Sequence, residues 1–360
     1  MTACVALAGS PSSVASYPVG VLADQGIDYE GSTWLVDSFD SGDPLKSTDG
    51  RYDPTKAGDA AEIVTKDGIT NSLPTGSALI YGHLYTGSNS PVVLGTGGIG
   101  THVWLATNSG IEPGYRSSGV NLPFPDTAPP HSSGLVAGPG DVVMPPGTTN
   151  HYDQVLHAGD YYATNLTGST IVVGAVRLVM PNGLQMAGND GIIIASGGSL
   201  ELYAGGTHSV VGGNGIVSQD GLARTFVLYG SPTLTNLTLN LTALSAVIIA
   251  PNSATEINGA GRPVDVSGAV MVQSLRLNGN CRFHFDQSLT AAATLHGHWA
   301  VGTDQFEVEV VGFPGFRYTL QASIDLHSWT SVATNVSPFT VTDAGAVDSI
   351  ARFYRAIYSP

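Results

Sequence analysis

Thr170-Ile-Val-Val-Gly174, Gly191-Ile-Ile-Ile-Ala195, Ser199-Leu-Glu-Leu-Tyr203, Thr225-Phe-Val-Leu-Tyr229, Ala246-Val-Ile-Ile-Ala250 and Ala269-Val-Met-Val272 are short apolar runs rich in β-branched and aromatic residues. None reaches the roughly ten to twelve residues that a helix needs, so each reads as a strand. Pro181-Asn-Gly183, Ala187-Gly-Asn189, Gly212-Gly-Asn-Gly215 and Asn278-Gly-Asn280 stand between them. Glycine and asparagine enter left-handed backbone conformations cheaply, so these are turns. A chain of short strands and tight turns must bury its strands by pairing them side by side. That predicts a sandwich, a barrel or a solenoid.

The favoured fold class is all-β: a right-handed parallel β-helix followed by a small antiparallel β domain. Several runs are apolar at consecutive positions, as in strands covered on both faces. Others alternate: in Leu237-Thr-Leu-Asn-Leu241 the leucines share one face. The spacing fits no single repeat period. A sandwich of the same strands is the alternative.

Working outward, residues 1–25 form a lead segment and residues 26–288 the solenoid body, with 110–150 a proline-rich segment crossing it. Residues 289–304 read as a linker and 305–360 as the small β domain. Ser77-Ala-Leu-Ile-Tyr-Gly-His-Leu-Tyr-Thr-Gly87 and Gly98-Ile-Gly-Thr-His-Val-Trp-Leu105 repeat the apolar–glycine rhythm and read as further coils. Leu122-Pro-Phe-Pro-Asp126 and Pro129-Pro130 interrupt it, because proline lacks the amide donor of a central strand. After residue 305 the pattern alternates, as in Phe306-Glu-Val-Glu-Val-Val311, with a turn at Gly312-Phe-Pro-Gly315. The opening Met1-Thr-Ala-Cys-Val-Ala-Leu-Ala-Gly-Ser10 has no positive n-region and makes a poor signal peptide. It reads as the remainder of a longer N-terminus.

Composition narrows the function. The hydrophobic fraction of 42% is too high for a disordered chain, while 46 glycines and only 11% charged residues suit an extracellular β-rich protein. A net charge of −15 offers no basic stripe for nucleic acid and disfavours an anionic membrane surface. No run of about eighteen apolar residues occurs, so no membrane span is expected. The two cysteines, Cys4 and Cys281, are too few for a disulfide framework, and Cys281 reads as a buried thiol.

Candidate chemistry is sparse. The acidic stretch carrying Asp37, Asp40, Asp43, Asp49 and Asp53 has oxygen ligands at spacings that suit Ca²⁺, although it lacks the EF-hand glutamate. The competing reading makes these aspartates turn caps. A glycan hydrolase needs convergent carboxylates. Asp190, Glu201, Asp220, Glu256, Asp265 and Asp286 are scattered along the core stretch, and so are Arg177, Arg224, Arg262, Arg276 and Arg282. Only stacking of distant coils can bring them together. His296-Gly-His298 has two imidazoles but no third ligand nearby. His284 lies between Phe283 and Phe285, so it is expected on the opposite face, at the surface or bonded to a turn. Tyr203, Tyr229 and Trp104 are either sugar platforms or coil-stacking residues. Gly95-Thr-Gly-Gly-Ile-Gly100 precedes no long helix and reads as turn glycines rather than a dinucleotide loop.

Two resemblances add to this. Gly26-Ile-Asp28, Val36-Asp-Ser-Phe-Asp-Ser41, Gly50-Arg-Tyr-Asp-Pro54, Tyr81-Gly-His-Leu-Tyr-Thr-Gly87, Gly110-Ile-Glu-Pro-Gly114, Phe124-Pro-Asp126, Ile249-Ala-Pro251, Leu277-Asn-Gly279 and Phe283-His-Phe-Asp286, between about 20 and 288, resemble an uncharacterised bacterial surface-protein family. Its members often carry a pilus-assembly-type membrane N-terminus ahead of a β-solenoid; the hydrophobic N-terminus is missing from this sequence. Gly312-Phe-Pro-Gly315, Tyr318, Ala322-Ser323, Asp325-Leu326, Trp329, Asp343 and Arg352-Phe-Tyr-Arg-Ala356 are similar to a short C-terminal β module of secreted bacterial proteins. The resemblances imply an extracellular or cell-surface location and cell-envelope, pilus or glycan partners. They carry no catalytic residues. The leading expectation is therefore a non-enzymatic structural or adhesive solenoid without a cofactor, Ca²⁺ aside. A carbohydrate-active β-helix is the alternative, and a self-assembling filament subunit the second alternative.

Overall fold

The computed structural model describes residues 4–7, 19–30, 33–73, 76–118, 124, 126–144, 147–259, 261–289, 293–300, 305–311, 317–336, 338–347 and 351–358. The rest, including Leu122, Pro123, Pro125 and the expected turn at 312–315, lies outside the described residues. The chain is all-β and divides into two compact units. One holds residues 19–120 and 124–288; the other holds 1–18, 121–123 and 289–360.

Among the described residues of the larger unit every strand pairing is parallel except that of Gly138–Met144 with Thr148–Tyr162. The pairings form three ladders. In one of them Leu178, Leu202, Leu228, Ile248, Val270, Val21, Ile63 and Leu84 follow one another in register. All eight are at most 1% exposed, so they make one aliphatic column through the core. A buried aliphatic side chain contributes about 1.5–3 kcal/mol, and stacked columns of them hold the coils together. Alternation supplies the rest: along Ser77–Thr86 every second residue from Ala78 to Thr86 is buried and the others face outward.

The stacking order differs from the chain order. Residues 138–286 build one half of the stack and residues 19–118 the other. The halves meet where Val21–Ala23 and Gly26–Glu30 pair with Val264–Asn278, and where Thr33–Phe39 pairs with Cys281–Asp286. The coil begun by residues 281–286 is thus continued by residues 21–30 from the start of the body. Two long strands, Val264–Asn278 and Ser77–Thr86, each serve more than one ladder. With Val21–Ala23, Ala61–Thr65, Thr33–Phe39 and Cys281–Asp286 they close a ring of six parallel strands. Gly20 sits at the junction. Its carbonyl accepts from Val270, its amide donates to Glu62, and a Cβ there would lie 2.9 Å from that of Phe285.

The expected boundaries move accordingly. Val21–Ala23, read into the lead segment, is a core strand. Within 110–150, Arg116–Ser118 lies at one end of the stack, while Leu135 pairs with Tyr161 and Gly138–Met144 pairs with Thr148–Tyr162 at the other. The flanks of the segment are thus strands.

The smaller unit has two sheets. Thr294–Trp299, Phe306–Val311 and Phe339–Asp343 form one, antiparallel, so the expected linker contributes a strand. Thr330–Val336, Arg317–Ser323 and Ala351–Tyr358 form the other, and Cys4–Leu7 adds a parallel strand from the N-terminal segment. Asp343, 5% exposed, accepts from Arg352, from the Tyr354 hydroxyl at 2.9 Å and from the Gly345 amide. Arg355 lies 4.2 Å over the Trp329 ring. The motif residues of this unit are thus engaged in holding it together.

Candidate functional site

Parallel register brings together what the sequence keeps apart. Ser267, His284 and Asp37 are successive partners across the coils, Tyr81 follows directly after the last pair of the next strand, Val36 with Ile80, and all four alternate with inward-facing residues. His284 Nδ1 lies 2.7 Å from Asp37 Oδ1, and its Nε2 lies 3.2 Å from Asp265 Oδ1. Arg282 donates to the other oxygen of Asp265 at 2.6 Å. The Tyr52 hydroxyl donates to Asp37 Oδ2 at 2.7 Å, and its ring stacks on the His284 imidazole at 3.5 Å.

Alternation placed His284 opposite the phenylalanines, as expected, but it is buried rather than at the surface: the side chain is 2% exposed. The cause is the segment 40–60, which folds over it. The Asp286 carboxylate accepts from the Ser41 amide, and Arg51 donates to the carbonyls of Gln219 and Asp220. Asp49 and Gly50 both take positive φ, at 52° and 73°, between the mutually bonded Thr48 and Arg51. This is the two-residue Asp-Gly hairpin turn that brings Tyr52 back over the coils.

Burial alone would lower the pKa of His284, but the hydrogen bonds and charges of Asp265 and Asp37 overcome it and raise it. For Asp265, burial pulls upward and the bonds from His284 and Arg282 prevail, so its pKa is lowered. Burial, then Asp37, pushes the Tyr52 phenol far up, which keeps it a hydrogen-bond donor. With an acceptor at each nitrogen and a ring on its face, His284 has no lone pair for a substrate or a metal. It clamps the overlying segment to the stack.

The five aspartates considered as Ca²⁺ ligands do not converge. Asp37 belongs to the clamp. Asp40 accepts from the Gly42 amide and Asp43 from the Leu45 amide, each at 2.9 Å. Asp49 occupies the hairpin turn. Asp53 accepts from Thr48 and Thr55, and these bonds lower its pKa to about 2. Among the described residues no three His, Cys, Asp or Glu side chains are placed to hold a metal ion. His298 lies 3.3 Å from Glu307. Burial pushes the Cys281 thiol up to about 12, so it is an unreactive core residue. Tyr203 and Tyr229 are register partners and stack on each other at 4.6 Å.

Two more groups occupy the same flank, and sequence reasoning missed both. Tyr81 stacks on His102 at 3.5 Å, and His102 Nδ1 bonds Asp59. Next to them Glu62 and Tyr85 are hydrogen-bonded, and His83 Nε2 lies 3.0 Å from Ser117 Oγ. Burial raises Glu62 to about 7 despite the bond from Tyr85, and its Oε2 has no partner. The available signal was alternation in Tyr81-Gly-His-Leu-Tyr85, which puts three polar rings on one face.

Fold and site together define an all-β protein whose parallel coil stack carries a closed Asp–His–Asp clamp on one flank. A family model described as a domain of unknown function, DUF7305, matches residues 139–292. It covers the half of the stack that supplies His284 and Asp265, but not the half that supplies Asp37 and Tyr52. No curated protein and no solved structure matches the chain. Among the described residues no helix is long and apolar enough to cross a membrane.

Proposed function

We propose that the protein is a non-enzymatic structural and adhesive body of the bacterial surface, a right-handed parallel β-helix working beside a pilus or secretion apparatus. The observation that carries this reading is the closure of the clamp. Histidine and carboxylates from separate coils do converge, but they are spent on one another, with His284 and Asp37 side chains 2% and 3% exposed. The hand is supported by the strong right-handed preference of parallel crossovers. Incubating the full chain with a panel of polysaccharides tests it: no product should form. Turnover abolished by a single acidic substitution would overturn it. Protease treatment of intact cells should degrade the protein; protection would place it inside.

One observation favours the carbohydrate-active alternative. Glu62, with a pKa of about 7, holds a proton near neutral pH, as a general acid must. It stands in register with His83 and beside Tyr85 on an outward face. Polysaccharide cleavage that disappears in a folded Glu62→Gln variant would establish that reading.

A further inference from the structure

The aliphatic column ending in Leu84 is followed in register by Arg116. Strand Arg116–Ser118 has a partner on one side only among the described residues, so the stack ends there. The Arg116 stem closes the column and its guanidinium is left at the rim, a common way for arginine to cover apolar surface. Two bonds hold the head in place: Nε donates to Thr86 Oγ1 at 3.2 Å and Nη2 donates to the Ser90 carbonyl at 2.8 Å. No carboxylate among the described residues forms an ion pair with it. The guanidinium therefore keeps donors and a full charge for something else.

That head lines a cleft of about 650 Å³ together with Ser88, Asn89, Ser90, Ser117 and Ser118. Among the described residues no acidic one lines it, in a chain with 28 acidic and 13 basic residues. The Ser117 hydroxyl is oriented by His83 at 3.0 Å. Arginine's fork matches a carboxylate with two parallel bonds. Hydroxyls and an amide donate and accept in turn, as ring hydroxyls require. A cleft of this size is far larger than an inorganic anion and falls in the range of small-ligand sites. The net charge of −15 repels polyanions at long range, so recognition of an acidic ligand has to be local.

We propose that this end-of-stack cleft binds an acidic saccharide, with Arg116 taking the carboxylate of a uronate and the serine and asparagine groups its ring hydroxyls. The proposal names a ligand for the adhesive reading and rests on that reading for its setting. The test is calorimetric titration of the full chain with trigalacturonate, the same samples being checked for cleavage products. Binding without cleavage is the expected result. Cleavage would sink the scaffold reading, whereas absent binding would sink only this site. Arg116→Gln should weaken binding about tenfold or more, as loss of a charge-assisted bond does, and raised salt should weaken it too. Arg116→Lys should recover part of it. Asn89→Gly, which suits the left-handed backbone there at φ 64°, should weaken binding several-fold even if Arg116 variants fail to fold. Unchanged affinity in Arg116→Gln or Asn89→Gly, equal affinity for a neutral trisaccharide, or equal competition by inorganic phosphate would overturn the proposal.

Discussion

His284 accepts nothing. Carboxylate oxygens at both ring nitrogens call for a proton on each, which is why its pKa is raised from 6.5. A histidine raised in the folded state adds stability that is full below the unfolded value and fades as pH climbs through the folded one. The melting temperature should therefore fall as pH rises above the ordinary histidine value of 6.5. In His284→Asn the part of that slope due to the clamp should vanish, with a loss of about 3 kcal/mol at pH 6, because the buried Asp37 loses its charged partner. Thermal melts across pH decide it; an unchanged slope refutes the charged clamp. Glu62 acts in the same direction in a lower window. Its pKa rises from 4.5 to about 7, so the folded state holds the proton longer than the unfolded one and loses stability across that interval. The ceiling is about 3 kcal/mol. Glu62→Gln should be the more stable protein at pH 8 by about 1–3 kcal/mol and show no advantage at pH 4.5. Denaturant titrations at the two pH values separate this from a packing effect, which would be equal at both.

The segment 40–60, a covering loop with one short 3-10 turn at Pro54–Lys56, is held by Tyr52, Arg51 and Ser41. Tyr52→Phe keeps the ring stacked on His284 and removes the donor to Asp37, a loss of about 1–3 kcal/mol for a buried charged acceptor. Limited proteolysis should then cut within 41–60 sooner than in the parent; equal rates would mean that the segment is held elsewhere. The same segment bears on Ca²⁺. Its aspartates are separately occupied with turns, so EDTA or added Ca²⁺ should leave the melting temperature unchanged, and a rise of several degrees on adding Ca²⁺ would restore a cation there. Strands and turns were legible because they are local: periodicity two and glycine or asparagine punctuation sit within a few residues. The turn-capping role of Asp40, Asp43 and Asp53 was legible for the same reason. The clamp was not. Asp37 and His284 are 247 residues apart, and nothing in either neighbourhood signals the other. Asp37 read as one of the acidic loop because it precedes it; in the structure it belongs to strand Thr33–Phe39.

Stack ends are the exposed liability of such a molecule, because an unpaired coil offers its edge and its apolar column to a second copy. This protein treats its two ends differently. At one, Gly138–Met144 turns antiparallel against Thr148–Tyr162, breaking the parallel series. At the other, the column of leucine, isoleucine and valine gives way to Arg116, and the neighbouring inward column runs through Thr65 and Thr86 to Ser118. A charge at the end of an apolar column has to be desolvated before another coil can add, which costs several kcal/mol. A filament joined through this end would have to bury Arg116. Light scattering should show a size independent of dilution. Arg116→Leu extends the column by one more aliphatic layer and removes the charge, so it should associate as concentration rises. If that variant stays as it was while the parent shows dilution-dependent size, the coil ends are not what governs association, and the filament reading returns with a different contact.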